Sequence, residues 1–403
     1  MSAVQALGYY DFFAGVGMVE VALTTGWHCV WANDFDPKKA AVYCANHDPK
    51  VFHLGDVAEV QAEDLPPGAV MAWASFPCQD LSLAGWRRGM AADRSGTFWA
   101  FWRLMRELHA KGRRPPLIVI ENVAGLLYGP DFGGLCEALA ALDMQFGALL
   151  IDAERFVPQS RPRVFIVAAD ARADVSALTE RDHEDSPWSD KRVVAAYKSL
   201  GSRLQEQWRW WRLPVPRSPI RPIESLIFDE PIGVSWHSEA ETAHLLSLMS
   251  PTNLAKIERA KQQPGQSVGF LYRRTRVDGQ RAEVRFDGLS GCLRTSTGGS
   301  SRQTVVVVED GAVRTRLLAP REAARLMGLP EGFRLPDRYN DAYHAMGDGV
   351  VVPVVSWLDK HLLTPLARKL TIPYSASLIP LSDRRQFRDA ADSRARLWLA
   401  SKS

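Results

Sequence analysis

Between residues 8 and 169 short β-rich runs alternate with longer helical patterns, and this alternation constrains the fold more than any other feature of the chain. The segments 8–13, 28–33, 70–75, 117–121, 148–152 and 164–168 read as strands, and 37–46 and 97–111 as helices. In the second helix Phe98, Phe101, Trp102, Met105 and Leu108 recur at helical spacing, which marks a core face. Parallel strands need a crossover, and a helix is the usual one, so the pattern predicts an α/β fold with a doubly wound, mostly parallel sheet. After Ala169 the text becomes rich in Arg, Trp and Pro and loses clean periodicity, which predicts a second, smaller domain.

The 403 residues suffice for a large core, and no apolar run reaches the length of a membrane span. With no charged-then-apolar leader, the expected location is the cytoplasm. The five cysteines, Cys29, Cys44, Cys78, Cys136 and Cys292, show no C-x-x-C spacing, so neither a disulfide framework nor a metal site is expected. Charge is uneven. Residues 191–221 carry eight Lys or Arg against one acid, and residues 259–302 nine against three, with an acidic segment between them. Such blocks either face a polyanion or are solvated surface. The stretch QWRWWRLP (207–214) either offers Arg and Trp to a nucleic acid or is a helix with a buried aromatic face, and burial is the commoner fate of large aromatics.

YYDFFAGVGMVEVAL (9–23) is strand, glycine turn and helix, the place where a doubly wound sheet binds a nucleotide. Gly15 and Gly17 let the backbone approach a ligand, and Asp34, nineteen residues after Gly15, stands where it can accept two ribose hydroxyls. Glu20 occupies the place of the third small residue of a dinucleotide fingerprint, so a nucleoside without phosphates fits better. In Gly55-Asp56-Val57, Asp56 is a candidate for an adenine amino group or simply a turn acid.

Cys78 follows the run 70–75 and therefore sits at the carboxyl edge of the sheet, on the side of Gly15 and Asp34. A cysteine there is ordinarily structural, but Pro77 and Gln79 fix and polarise its turn. LIVIENV places Glu121 and Asn122 at the end of another strand on this edge, and FVPQSRPRVFIVA brings Gln159, Arg161 and Arg163 into a further one.

PCQ, ENV and Q-x-R-x-R, in this order behind a D-x-F-x-G-x-G turn, resemble the C5-cytosine-specific DNA methyltransferase family over residues 8–169 and 290–360. The resemblance implies a Rossmann-like fold dependent on S-adenosyl-L-methionine, with an inserted target recognition domain. It divides the chain into a catalytic part at 1–170, the recognition domain at 171–290, a return to the catalytic domain at 291–363 and a basic C-terminal extension at 364–403. The implied reaction is methylation of carbon 5 of a flipped cytosine in double-stranded DNA through a covalent cysteine–C6 adduct.

Cys78 would be the nucleophile, Glu121 would hold N3, and Arg163 with Arg161 would steady the base oxygen. Phe13 and Phe35 would pack on the adenine, with Ala14, Gly15, Gly17, Asp34, Asp56, Val57, Pro77, Asp348 and Gly349 completing the donor site. Gln79, Ser82, Gln159, Arg294 and Arg302 would meet DNA. One departure concerns Gly347-Asp348-Gly349, where the family commonly has Asn in place of Asp348; an acid there would bind the donor's amino group or repel its carboxylate. The expectation is a monomeric prokaryotic or phage methylase, with room for a cognate restriction endonuclease acting separately and no membrane partner. A tRNA methylase on the same scaffold is the second reading, disfavoured by the long recognition segment and its two basic blocks.

Overall fold

The computed structural model describes residues 6–24, 26–77, 96–129, 131–182, 186–217, 220–276, 279–293 and 302–371. Its centre is a seven-stranded sheet made of β1 (Leu7–Phe12), β2 (Trp27–Asp34), β3 (Phe52–Leu54), β4 (Ala69–Ala74), β5 (Leu117–Val123), β6 (Met144–Asp152) and β7 (Pro162–Asp170). The order is β3-β2-β1-β4-β5-β7-β6. The pairings from β3 through β5 are parallel, whereas β7 runs antiparallel to both β5 and β6. The expected strands are present, and β3 was not foreseen: three residues on a sheet edge carry no periodic signal.

β1 and β4 are buried along their whole length, as strands covered on both faces must be. Helices α1 (Met18–Ala22), α2 (Pro37–Asn46), α3 (Gly96–Ala110) and α4 (Asp131–Ala141) flank the sheet. The start of α2 is set chemically, since Asp36 accepts from the Lys38 amide at 2.8 Å and Pro37 occupies the first turn. That cap begins the helix two residues beyond Asp34.

The segment after β7 belongs to this core rather than to the recognition domain expected from residue 171. The short pair β8 (Thr179–Glu180) and β9 (Trp210–Trp211), with α5 (Lys191–Lys198) and α6 (Ser202–Gln207), packs against the β6 edge. Trp208 and Trp210 are buried in the core on one side of the sheet and Trp211 in the core on the other. The Arg209 amide donates to the Phe146 carbonyl at 2.7 Å. The aromatic stretch is therefore buried, though as an edge cover and not as a helix, because α6 stops at Gln207.

A second, four-stranded antiparallel sheet has the order β11-β10-β12-β13, from β10 (Gln266–Arg276), β11 (Gly279–Arg285), β12 (Thr304–Glu309) and β13 (Ala312–Leu317). It joins residues on both sides of the expected boundary at 290. Alternation splits its faces: Leu271, Val284, Val306 and Val308 pack under α7 (Glu239–Ser247) and α8 (Pro251–Lys261), while Val268, Phe270, Val305 and Val307 join the main core.

α9 (Pro320–Leu326), α10 (Tyr339–Asp348), α11 (Val352–Leu358) and α12 (Thr364–Thr371) return the chain to the first sheet. The helical run 339–371 has the length and hydropathy of a membrane span, yet 67% of its apolar window is buried in the protein. α12 is core and not extension, because the Trp27 indole donates to Asp359 and to Thr364, both at 2.8 Å.

The covered β6 edge depends on Gly147, where a Cβ would lie 1.8 Å from the Arg209 carbonyl oxygen. Gly147→Ala should cost about 1–3 kcal/mol in urea unfolding, the range for overpacking. Gly133→Ala, in open space on α4, should stabilise by roughly 0.5–1 kcal/mol. Equal midpoints for the two variants would contradict this account of the edge.

Candidate functional site

The carboxyl ends of β1, β2, β4 and β5 open on one side of the sheet, and the candidate residues gather there. After β1 the chain turns through Phe13, Gly15 and Gly17, all with positive φ (60°, 58° and 83°). A Cβ at Gly15 would meet nothing within 4 Å. Its amide donates to Asp34 Oδ2 at 3.0 Å, and Asp34 Oδ1 accepts from the Asp36 amide at the same distance. Asp34, nearly buried, thus ties the glycine turn to the start of α2. Ala14 is buried and donates its amide to Asn33 at 2.8 Å, and Phe13 meets the ring of Phe76 edge-on.

Phe35 is 68% exposed, an unusual position for a phenylalanine unless a flat partner covers it. Leu54, in register with Asp34, is also exposed and was not anticipated. Asn33 donates to the carbonyls of His53 and Gly55, both at 2.9 Å, and so holds the third loop against this end. There Val57 is buried, while Asp56 is exposed and caps a turn by accepting from Ala58 at 2.8 Å.

Asp11 opens the D-x-F-x-G-x-G motif but was given no role in the sequence reading. It is 1% exposed, and neither carboxylate oxygen has a hydrogen-bond partner among the described residues. Burial, then the nearby Glu20 and Asp34, pushes its pKa well above the usual carboxylate range. An acid inside the otherwise apolar strand LGYYDF was the available signal. An orphaned buried carboxylate beside an open glycine turn and an exposed phenyl ring suits a nucleoside bearing a cationic tail, the chemistry of S-adenosyl-L-methionine.

At the other end Glu121 is buried in β5, and its Oε1 lies 3.1 Å from Arg163 Nε. The two are diagonal neighbours, because Glu121 pairs with Phe165 and Val123 with Arg163. Burial raises the Glu121 pKa, against the lowering effects of Arg163, Arg161 and a hydrogen bond with Ser75. Asn122 donates to the Phe76 carbonyl at 3.0 Å and accepts from Val123 at 2.8 Å, so the ENV turn holds the strand that leads into exposed Pro77. Cys78, Gln79, Ser82 and Arg294 lie outside the described residues.

Two expected site residues are placed differently. Arg161 is fully buried, and its Nη atoms donate to the carbonyls of Leu293 (3.0 Å), Gly347 (2.7 Å) and Gly349 (2.8 Å) and to the Cys292 sulfur (3.3 Å). Burial first, then the charge of Arg163, pulls its pKa down to about 10, so it stays charged at neutral pH. Its guanidinium thus braces the backbone on either side of Asp348, where the sequence reading expected it at the base.

Gln159, expected at DNA, is wholly buried; it donates to the Leu326 carbonyl at 2.9 Å and accepts from Leu293 at 3.4 Å. Arg302 stacks 5.3 Å from the centre of the Tyr339 ring. Gly349 packs so tightly on α1 that a Cβ would come within 2.3 Å of the Met18 sulfur.

A family model for C-5 cytosine-specific DNA methylase matches residues 7–363. The chain is similar to the Type II methyltransferase M.Bsp6I of Bacillus sp. (strain RFL6), 26% identical over 355 residues that cover 86% of this chain and 95% of that protein. It is 25% identical over 361 residues to the Type II methyltransferase M.HhaI of Haemophilus parahaemolyticus, covering 88% and 94%. Among solved structures, the S. pombe Dnmt2 methyltransferase superposes with a TM-score of 0.55 at 17% identity, over 90% of this chain and 99% of that one. The Entamoeba histolytica methyltransferase EhMeth gives 0.57 at 14%, with the same coverage. At these identities the structural likeness bears on the fold alone.

Asp11 yields a paired prediction. Its folded pKa is raised, so its penalty on stability is absent below the unfolded value of about 3.9 and grows as pH rises toward the folded pKa. Asp11→Asn should therefore match the ligand-free parent in thermal unfolding near pH 4 and exceed it at pH 8. The same variant should bind S-adenosyl-L-methionine more weakly in calorimetry. A variant less stable than the parent at pH 8 would remove the argument.

Proposed function

Since the chain belongs to the family of C-5 cytosine-specific DNA methylases, we propose that it methylates carbon 5 of a cytosine swung out of double-stranded DNA at a specific sequence, through a covalent bond from Cys78 to carbon 6. The protein is a DNA (cytosine-5-)-methyltransferase. The single observation that carries the finer reading is the buried Glu121, its pKa raised by burial and its carboxylate steered by Arg163 and Ser75.

Carbon 5 of cytosine is too poor a nucleophile to take a methyl group unaided. Addition of the Cys78 thiolate to carbon 6 places an electron pair in the ring and makes carbon 5 an enamine carbon. The charge is relieved by a proton at N3, and Glu121, whose pKa burial raises, is the group to share it. Arg163 steadies that carboxyl and offers a fixed cation to the base oxygen. Asn122, through Phe76, fixes the strand end that precedes Cys78. S-adenosyl-L-methionine supplies an electrophilic methyl group when bound, and Asp11, Asp34, Phe35 and the Gly15 turn are the residues suited to hold it. After transfer the carbon 5 proton leaves to a base, the ring electrons expel the Cys78 thiolate, and the methylated base returns to the duplex.

For the DNA partner, support comes from the β10–β11 hairpin. Arg274 and Arg281 stand opposite each other in its register, both exposed, so that the hairpin presents two cations side by side to a polyanion. Similarity to Type II methyltransferases supports a restriction-modification setting, with a separate endonuclease as the matching partner.

The test is transfer of labelled methyl from S-adenosyl-L-methionine to duplex DNA, abolished in Cys78→Ala, with bisulfite sequencing to report the base and its context. Duplexes with 5-fluorocytosine at the target should be trapped covalently by the parent and not by Cys78→Ala. Methylated product without any trapping would discard the covalent route. Glu121→Gln should lower kcat by about 10²–10⁴. Since the acid form acts and its pKa is raised, kcat/KM should fall on the alkaline side as Glu121 loses its proton, and that limb should vanish in Glu121→Gln.

A further inference from the structure

Two successive lysines at the start of α2 reach across to α10. Lys38 Nζ lies 2.8 Å from Asp341, and Lys39 Nζ lies 2.9 Å from Asp348 Oδ2. Asp341 and Asp348 are seven residues apart, two helical turns, so both project from one side of α10. The first pair is largely exposed and contributes little. The second is more sheltered, with side-chain exposures of 22% for Lys39 and 42% for Asp348.

Its location gives it weight. α2 begins directly after Asp34 and Phe35, the adenosine end of the donor site. Asp348 stands between the two carbonyls gripped by Arg161, on the loop packed against Met18 beside the glycine turn. The pair therefore ties the start of α2, just after Asp34 and Phe35, to the end of α10, whose next residue Gly349 packs on Met18 behind the glycine turn. Burial disfavours the Lys39 ammonium, but the carboxylates of Asp348, Asp34 and Asp36 together outweigh it. Around the donor site stand Asp11, Glu20, Asp34, Asp36 and Asp348, an array that welcomes a sulfonium and an ammonium and opposes a carboxylate.

We propose that Lys39 is a positioning residue for the methyl donor, neutralising Asp348 so that an acidic loop admits the donor's amino-acid carboxylate as an uncharged loop would. The inference rests on the reading that this pocket takes S-adenosyl-L-methionine. It assigns the departure at Asp348 a compensating partner 309 residues earlier in the chain, outside every motif, on a neighbouring helix. Lys39 acts through Asp348, and the carboxylate of the ligand is the group that senses the result.

The experiment compares the parent, Lys39→Met, Lys39→Arg and the double variant Lys39→Met/Asp348→Asn. Calorimetry uses S-adenosyl-L-homocysteine and, separately, adenosine, which has no amino-acid tail. Steady-state methylation gives KM for S-adenosyl-L-methionine and kcat. Lys39→Met should weaken S-adenosyl-L-homocysteine and raise KM by about tenfold, a change of ~1.4 kcal/mol for a half-exposed pair. kcat should change far less than KM, and adenosine should bind the parent and Lys39→Met alike. Lys39→Arg should keep most of the affinity, and the double variant should recover most of what Lys39→Met loses. A double variant as weak as Lys39→Met overturns the proposal, as does an equal loss for adenosine, which would mean that α2 had shifted. A parent that binds neither probe defeats the donor reading itself, whereas a parent that binds with Lys39→Met unchanged defeats the role of Lys39 alone.

Discussion

The Arg161 guanidinium is the joint on which the rest of the molecule closes. A buried cation costs several kcal/mol unless its donors are met, and here the Nη donors are met by three backbone carbonyls and a sulfur contributed by segments far apart in the chain. One fork therefore fixes the entry to β7, the chain leaving the second sheet at Leu293, and the loop that carries Asp348 and Gly349. A lysine could satisfy no such planar set. Because the acceptors are main-chain atoms, the joint specifies where the loops run while leaving their side chains open to change. Asp348 stands in such a loop.

The pocket holds two buried acids whose pKa values move the same way for the same first cause and whose neighbours then part them. Glu121 has Arg163, Arg161 and Ser75 set against its burial. Asp11 has only further acids, Glu20 and Asp34. The first arrangement orients a carboxyl and holds its proton at a defined atom. The second drives the carboxyl toward its protonated form, and a bound cation would draw it back to the carboxylate. Burial alone does not assign a role; the surrounding charges do.

What could be read from the chain followed from how local each signal is. α2 was bounded to the residue, since Asp36, Pro37 and the apolar spacing act within a few positions. The strands of the first sheet were visible as apolar runs, and the short β3 was not. The burial of Trp208, Trp210 and Trp211 followed from residue type, but their use along the β6 edge depends on Gly147, a partner sixty residues earlier. The motif expected Gln159 at DNA and Arg161 at the base, whereas their hydrogen bonds to Leu326, Gly347 and Gly349 are a property of folded distance. The same holds for the second sheet, whose strands β12 and β13 come from beyond the boundary that the resemblance implied.

The charge pattern shows how far composition reaches. In the first basic block Arg192 is paired with Asp190, Arg209 donates to Gln145 and to backbone carbonyls, and Arg212 donates to Ala177. Much of that block thus staples the segment covering β6 to its own surroundings. In the second block Lys261 and Arg285 have acidic neighbours, Glu258 and Asp287, but Arg274 and Arg281 face each other across two exposed positions of one hairpin. Equal counts of basic residues therefore have unequal meanings. Charge compensated within the fold stabilises it, and cations gathered on an exposed hairpin attract a polyanion, which makes the hairpin the stronger candidate for contact with phosphate.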